Sequence, residues 1–181
     1  MTDWSIRENV TMVVLDNLLG HLGLISKRRA RSRTESFIRT LAIATDNQEK
    51  RVSTLSGGNQ QKVVVAKWLA TQPKMLILDD PTRGVDVGAK REIYTIIRQL
   101  AADGLSILLS SSEIDEVLGL ADNVLVMYRG GPVAQVPRER LDREEILHLV
   151  NKGALDDAAG LASMVLDPAR QGVFQASESE I

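Results

Sequence analysis

The sequence predicts an α/β fold in which helices flank a parallel sheet. Three short apolar runs, at residues 75–78, 107–109 and 124–127, alternate with segments of helical length. The first run is continuous and ends in two aspartates and a proline, a pattern typical of a strand that is buried on both faces of a parallel sheet. With 181 residues, 44% of them hydrophobic, the chain is long enough to bury the core of one compact domain.

Composition excludes several classes of protein. The chain has no cysteine, so disulfide frameworks and thiolate metal sites are excluded. Its 22 basic residues nearly balance its 24 acidic residues, which gives no reason to expect a nucleic-acid partner. The first ten residues carry two acidic side chains, and no apolar run approaches the length of a membrane span. We therefore expect a cytoplasmic protein, which can still serve a membrane complex as a peripheral subunit.

Apolar spacing predicts the helices in order along the chain. The first covers residues 5–19, the second residues 34–44, and the third residues 59–70, whose interior is apolar almost all round and should be deeply packed. The fourth covers residues 87–102, where isoleucines and a leucine recur at i, i+3, i+4 and i+7, and Gly104 can end it. Shorter helices are predicted at residues 112–118 and 143–150.

Three connecting segments complete the prediction. The basic run at residues 27–33 is interpreted as a solvated helix entry, with a phosphate or headgroup contact as the alternative, and it is assigned no function. A turn at Gly130-Gly131-Pro132 predicts a hairpin at the edge of the fold. From residue 153 the chain is small, acidic and weakly periodic, so we expect one domain at residues 1–152 and a mobile acidic tail at 153–181.

The segment Ser56-Gly57-Gly58 precedes a predicted helix and is the first candidate for chemistry. Free backbone N–H groups at the positive end of a helix dipole attract anions, and glycines allow a phosphate to approach closely. A serine N-cap with a glycine-rich entry is the structural alternative, and for this tripeptide alone it is favoured.

The pair Asp79-Asp80 at the end of a buried strand is the second candidate. Ligands of open α/β sheets lie beyond the carboxyl ends of the strands, where one carboxylate can hold Mg²⁺ and a second can orient a water molecule. An acidic pair before proline is also a common turn sequence.

Taken together, the two segments are far more specific. LSGGNQQK at residues 55–62 and LILDDPTRGVD at residues 76–86 resemble the signature motif, Walker B strand and D-loop of ABC ATPases. Residues 55–69, 81–90 and 111–119 resemble most closely the second nucleotide-binding domain of the tandem ATPase subunit of ribose-, galactose- and xylose-type importers. The resemblance covers roughly residues 5–150 and implies a P-loop NTPase-like fold.

The resemblance also implies roles for individual residues, with ATP and Mg²⁺ as cofactors. Ser56, Gly57 and Gly58 would contact the γ-phosphate of an ATP held mainly by an opposite domain, with Asn59 and Gln60 opening the helix behind them. Asp79 would be the magnesium carboxylate, and Asp86 the D-loop aspartate at the domain interface. Asp80 would occupy the position of the water-orienting glutamate, and Ser112 the position of the switch histidine.

The sequence departs from the family pattern in three places. No G-x-x-x-x-G-K-[ST] motif occurs in it, so the cradle that binds the β- and γ-phosphates is absent, as is the Q-loop. Asp80 is one methylene shorter than the glutamate that the family usually has. Ser112 cannot take up charge as imidazole can, although serine at this position looks usual for the second domain of this importer subfamily. We therefore expect a domain truncated at its N-terminal side, or a subunit that donates its signature face to a partner.

Competing functions follow from these departures. The first is part of the motor of a sugar importer, acting with a second nucleotide-binding domain, permease subunits and a periplasmic sugar-binding protein at the inner face of the membrane. The second is a catalytically silent module that completes or competes for an ABC dimer. The ABC-like ATPases of DNA repair are a third class, but they contain long heptad segments that this chain lacks.

Overall fold

The computed structural model describes residues 2–19 and 24–152. They fall into two compact units, divided between Ser110 and Ser111, and each unit is described by itself. The predicted acidic tail at 153–181 lies outside the described residues.

The first helix is shorter than predicted. α1 spans Ile6–Thr11 and begins with a capping box, in which the Ser5 hydroxyl accepts from the Glu8 N–H and the Glu8 carboxylate accepts from the Ser5 N–H. A 3₁₀ segment, Met12–Leu18, follows it, with a non-helical residue at Val14. The single helix predicted over residues 5–19 is therefore wrong, and two adjacent β-branched valines at the break have the low helix propensity that such a break favours.

The second helix, α2, spans Lys27–Thr40 and so begins seven residues earlier than predicted. Ser26 caps it by accepting a hydrogen bond from the Arg29 N–H at 3.4 Å. The basic run is therefore the first half of a helix and not its approach, because lysine and arginine are good helix formers once a cap is present.

The third helix, α3, spans Gly57–Leu69 and is packed on one side. Val63 and Ala66 are buried in the core of the unit, but Trp68 is 47% exposed and Val64 is equally open. The expectation of a deeply packed helix is correct for one face only.

The parallel sheet of the first unit has two strands. β1 (Met75–Asp79) pairs with β2 (Ser106–Ser110), with Met75 opposite Ser106 and Asp79 opposite Ser110. The crossover between them is α4, Val87–Ala102, which matches its predicted bounds and ends before Gly104, a residue with φ of 92°.

One face of β1 is buried and the other is open. Leu76 and Leu78 face the interior, whereas Ile77 is 67% exposed and Met75 is also exposed. The prediction of a strand buried on both faces is thus wrong for the described chain, because its helices cover a single face. Within the described residues β2 is the only strand that pairs with β1, so the second edge of β1 is open.

The second unit packs two helices against a hairpin. α5 (Ile114–Leu120) is followed by β3 (Asn123–Tyr128), β4 (Gly131–Pro137) and α6 (Arg143–Lys152). β3 and β4 are antiparallel, as predicted, and Arg129 and Gly130 make the turn with positive φ values of 47° and 82°. Val126, Val136 and Leu149 are among the buried residues of its core.

Candidate functional site

Ser56 lies at the N-cap position of α3 but does not cap the helix with its side chain. Its hydroxyl instead accepts a hydrogen bond from the Asn59 side-chain amide at 2.9 Å. The side-chain Oδ1 of Asn59 in turn accepts a hydrogen bond from the Ala44 N–H at 2.7 Å. The first N–H groups of a helix have no partner within it, so the Ser56 side chain leaves these donors available to another acceptor.

The two glycines that follow Ser56 have different surroundings. A Cβ atom placed on Gly57 would have as its nearest neighbour the Gly84 carbonyl oxygen at 3.8 Å, which is ordinary contact. A Cβ atom on Gly58 would lie 2.5 Å from the Ala89 Cβ, a distance that side chains do not adopt. Gly57 is therefore open to an approaching ligand, while Gly58 is needed so that α3 can pack against the start of α4.

Gln60 has a positioning role in the described contacts. Its side-chain amide donates to the Leu55 carbonyl at 2.9 Å, and its backbone N–H donates to the Ser56 carbonyl at 2.9 Å. The side chain therefore fastens the segment before the helix to the first turn. Together, Asn59 and Gln60 hold the Ser56-Gly57 peptide in place from behind.

The carboxylates of the second candidate follow the end of β1. Asp79 is exposed and is the last residue of the strand. Asp80 leaves the strand in the left-handed region with φ of 43°, and its N–H donates to the Ser110 carbonyl at 2.8 Å. Pro81 and Thr82 are buried behind it, so the turn that carries the two aspartates is anchored at both ends.

Asp86 caps the next helix. Its Oδ1 accepts a hydrogen bond from the Ala89 N–H at 3.0 Å, which sets the start of α4. Because Gly58 touches Ala89 and Gly57 faces Gly84, the structure brings the Ser56-Gly57-Gly58 segment against the loop that ends at Asp86.

Ser112 belongs to the second unit and is exposed there. The neighbouring Ser111 hydroxyl donates to the Glu116 carboxylate at 2.5 Å and accepts from the Glu113 N–H at 3.0 Å. Glu116 is almost fully buried, so a buried carboxylate fixes the backbone on both sides of Ser112. Sequence reasoning missed Glu116, because two adjacent acidic residues in the first turn of a short helix give no sign that one of them is buried.

The carboxylates at the end of β1 are of the donor type that Mg²⁺ prefers. Within residues 2–19 and 24–152, no three or more His, Cys, Asp or Glu side chains form a group that could hold a metal ion by themselves. Mg²⁺ is commonly bound by one or two carboxylates, with phosphate oxygens and water completing its shell. The exposed Asp79 carboxylate therefore fits the ion as one ligand of a nucleotide-bound shell.

Comparison with known proteins identifies similar chains. A family model described as ABC transporter matches residues 1–83. The ribose import ATP-binding protein of Halalkalibacterium halodurans is 44% identical over 153 residues, which are 84% of this chain and 30% of that protein. The L-arabinose transport ATP-binding protein of Geobacillus stearothermophilus is 44% identical over 155 residues, 86% of this chain and 30% of the relative.

Solved structures show the same fold. The ADP conformation of MJ1267, an ATP-binding cassette of an ABC transporter, is similar with a TM-score of 0.63 and 23% identity, over 83% of this chain and 60% of that one. The dimeric structure of MJ0796, a bacterial ABC transporter cassette, gives a TM-score of 0.64 and 20% identity, over 76% and 58% of the two chains.

The fold is thus that of the ATP-binding cassette ATPases, within the P-loop NTPase class, as the motifs predict. In sequence the chain is similar to the ATP-binding subunits of ABC sugar importers over more than four fifths of its length. It spans less than a third of the length of these curated relatives. Among the described helices, none has the length and apolar character needed to cross a bilayer.

Proposed function

We propose that this chain is part of the ATP-binding subunit of an ABC importer of monosaccharides, in which it supplies the signature segment and the magnesium carboxylate of composite ATP sites. The observation that carries the proposal is the start of α3, where Gly57 is open and the Ser56 hydroxyl is held by Asn59 and not used as a cap. Anions bind at such helix starts through backbone N–H groups and the helix dipole.

Each site residue has a role in this proposal. The Ser56 hydroxyl and the N–H groups of Gly57 and Gly58 bind the γ-phosphate of an ATP held by the opposite domain. The side-chain hydrogen bonds of Asn59 and Gln60 keep that segment rigid. Phosphate binding therefore costs little conformational entropy in this segment. Gly58 contributes indirectly as well, because its contact with Ala89 couples the phosphate-binding turn to α4.

The aspartates act on the ATP that is bound in this chain's own domain. Asp79 holds Mg²⁺, which neutralises phosphate charge when the nucleotide is bound. Asp80 orients the attacking water, and its backbone is fixed by the hydrogen bond to Ser110. Asp86 lies at the interface between domains, and Ser112 takes the switch position, on a loop anchored by Glu116.

The partners in this proposal are a second nucleotide-binding domain, permease subunits and a periplasmic sugar-binding protein, and no nucleic acid. The relatives' names describe them as import and transport ATP-binding proteins, which supports a place at the cytoplasmic face of the membrane. The 181 residues contain no phosphate-binding loop, so in this proposal the cradle for the β-phosphate comes from a segment outside them.

The test compares this chain alone with a hybrid that joins it to the preceding half-domain of the Halalkalibacterium halodurans relative. Titration with a fluorescent ATP analogue and Mg²⁺ is expected to give no micromolar affinity for the chain alone and micromolar affinity for the hybrid. Ser56→Ala in the hybrid is expected to reduce steady-state hydrolysis by about tenfold or more, because a hydrogen bond to a charged phosphate is lost. Ser53→Ala, an exposed serine three residues earlier, is the control. Equal rates for the two variants would refute the assignment.

A silent module is the second candidate, and the short Asp80 side chain favours it. A displacement of roughly 1 Å at a positioned group can cost on the order of 100-fold in rate. Asp80→Glu in the hybrid separates the two candidates. If it restores turnover to a hybrid that binds ATP but does not hydrolyse it, the native chain is a silent partner. Unchanged rapid turnover would show that aspartate is sufficient.

A further inference from the structure

We propose that the groove between the 3₁₀ segment Met12–Leu18 and α2 binds a phosphate-bearing anion, independently of the proposed nucleotide site. Three arginines, Arg28, Arg29 and Arg33, line this groove together with Ser32 and Ser36. None of the described residues that line it is acidic. The groove uses the basic run, a feature of the sequence to which no function was assigned.

Two of the three arginines are held by backbone groups. The Arg33 guanidinium donates to the Ala70 carbonyl at 2.6 Å, and the Arg29 guanidinium donates to the Leu19 carbonyl at 3.4 Å. Each of these bonds uses part of a five-donor fork and leaves other N–H groups for a ligand. Arg28 has no ion pair with any described residue.

The charges of α2 are unfavourable for the helix itself. Five of its first seven residues are cationic, and the first turn has no acidic residue, although a helix N-terminus favours negative charge. Arg29 and Arg33 are also a like-charge pair at i and i+4, which destabilises a helix. Departures from ordinary helix preferences are expected at functional positions. A bound anion would offset the repulsion among the cations at the start of α2.

The opposite side of the same helix has its own carboxylate. The Glu49 Oε1 atom lies 3.7 Å from Arg31 Nε, and the positive charge of Lys27 also lowers the pKa of Glu49. Arg39, near the end of α2, pairs with Glu35. The positive charge of α2 that has no carboxylate partner is therefore concentrated on the groove side. There an external anion can supply the missing negative charge.

The chemistry of the groove selects phosphate as the ligand. Planar guanidinium groups bind phosphate oxygens in a bidentate manner, and serine hydroxyls add neutral donors. The shared chemistry is that of a phosphate mono- or diester, which is available either as free phosphate or as the headgroup of an anionic lipid.

The test uses the full 181-residue chain and two double variants that remove the same charge. R28Q/R29Q removes cations from the groove, and K27Q/R31Q removes cations from the side that faces Glu49. Inorganic phosphate is titrated by calorimetry, and in a second arm the chain is sedimented with vesicles of phosphatidylcholine, with and without phosphatidylglycerol. Thermal melts confirm that both variants fold.

We expect R28Q/R29Q to weaken binding by about tenfold or more, because charge-assisted hydrogen bonds are lost, and K27Q/R31Q to weaken it by less than about threefold. Phosphate binding without vesicle binding would identify free phosphate as the ligand. Sedimentation only with phosphatidylglycerol would identify a lipid headgroup. Absence of binding in both arms, or equal loss in the two variants, would overturn the proposal.

Discussion

Gly58 and Ala89 approach so closely that a methyl group on Gly58 would lie 2.5 Å from the Ala89 Cβ. This contact joins the start of α3 to the start of α4. The two adjacent glycines of the signature-like segment are therefore expected to respond differently to the same substitution.

Gly58→Ala is expected to lower the free energy of unfolding by about 1–3 kcal/mol, because the added methyl group overpacks a helix contact. Gly57→Ala should leave stability within about 1 kcal/mol of the original, since alanine favours the helix and meets only ordinary contacts. Urea denaturation of both variants measures the difference. Equal loss of stability would mean that the α3–α4 contact adjusts freely.

Lys62 and Glu92 form a pair whose two members have very different exposure. The Lys62 side chain is 3% exposed and donates to Glu92 at 2.7 Å and to the Ala42 carbonyl at 2.9 Å, whereas Glu92 is 64% exposed. Glu92→Ala is expected to cost about 1–3 kcal/mol, because it leaves a buried ammonium group with one fewer acceptor.

The double variant Lys62→Met, Glu92→Ala should cost less than the two single variants added together, with a coupling of about 1 kcal/mol. Chemical denaturation of all four members of the cycle measures this coupling. Simple additivity would show that the Lys62–Glu92 pair contributes no coupling energy.

The ion pair between Arg7 and Glu49 predicts that the chain loses stability in acid. The hydrogen bond and charge of the Arg7 guanidinium, which binds both carboxylate oxygens, hold the pKa of Glu49 below its usual value. The stability that it contributes is therefore fully present above its unfolded pKa of about 4.3 and is lost as the pH falls through the lower folded value. Glu49→Gln should flatten the fall in thermal midpoint between about pH 5 and pH 3.

The control for this experiment is Glu35→Gln, which removes a carboxylate from the exposed side of α2. It is expected to keep most of the acid dependence of the original chain. If both variants flatten the profile equally, the Arg7–Glu49 pair is not its source.

The open edge and face of β1 predict self-association of the chain. Ile77 is 67% exposed on a strand with one described partner, and such edges template pairing with other chains. Ile77→Lys should shift size-exclusion profiles toward monomer, because a charge on an exposed strand opposes stacking. Val64→Lys is the matched control, since Val64 is 46% exposed on the helix α3, which has no strand edge. A monodisperse original chain, or an equal shift with Val64→Lys, would contradict the prediction.

Local patterns were sufficient for some elements of the fold and insufficient for others. α4 matches its predicted bounds because its apolar spacing, its aspartate cap and the glycine after it all indicate the same helix. α2 begins before its predicted start because a run of cations hides a helix whose buried face consists of small residues, Ala30 and Thr34. The exposure of β1 depends on which segments cover it, and this cannot be inferred from the strand itself.

The candidate site shows the same division. The motif pattern identified Ser56, Asp79 and Asp86 as candidates, and the structure adds how their surroundings are built. Neither the hydrogen bond from Asn59 to Ser56 nor the contact of Gly58 with Ala89 has a sequence signal, because both depend on how α3 meets its neighbours. Glu116 is the clearest omission, since its burial arises from the packing of the second unit.

The parallel register of β1 with β2 has a consequence for synthesis of the chain on the ribosome. The strand partner of Met75 is Ser106, which is synthesised about 30 residues later. β3 and β4, by contrast, are joined by a short turn at Arg129 and Gly130 and can pair at once. At about 5–20 residues per second, β1 leaves the ribosome roughly two to six seconds before β2 does. A hairpin closes in about 1–10 μs once both strands are available. In the nascent chain β1 therefore stays unpaired, and open to chaperone binding, from the time that Met75 leaves the ribosome until Ser110 does.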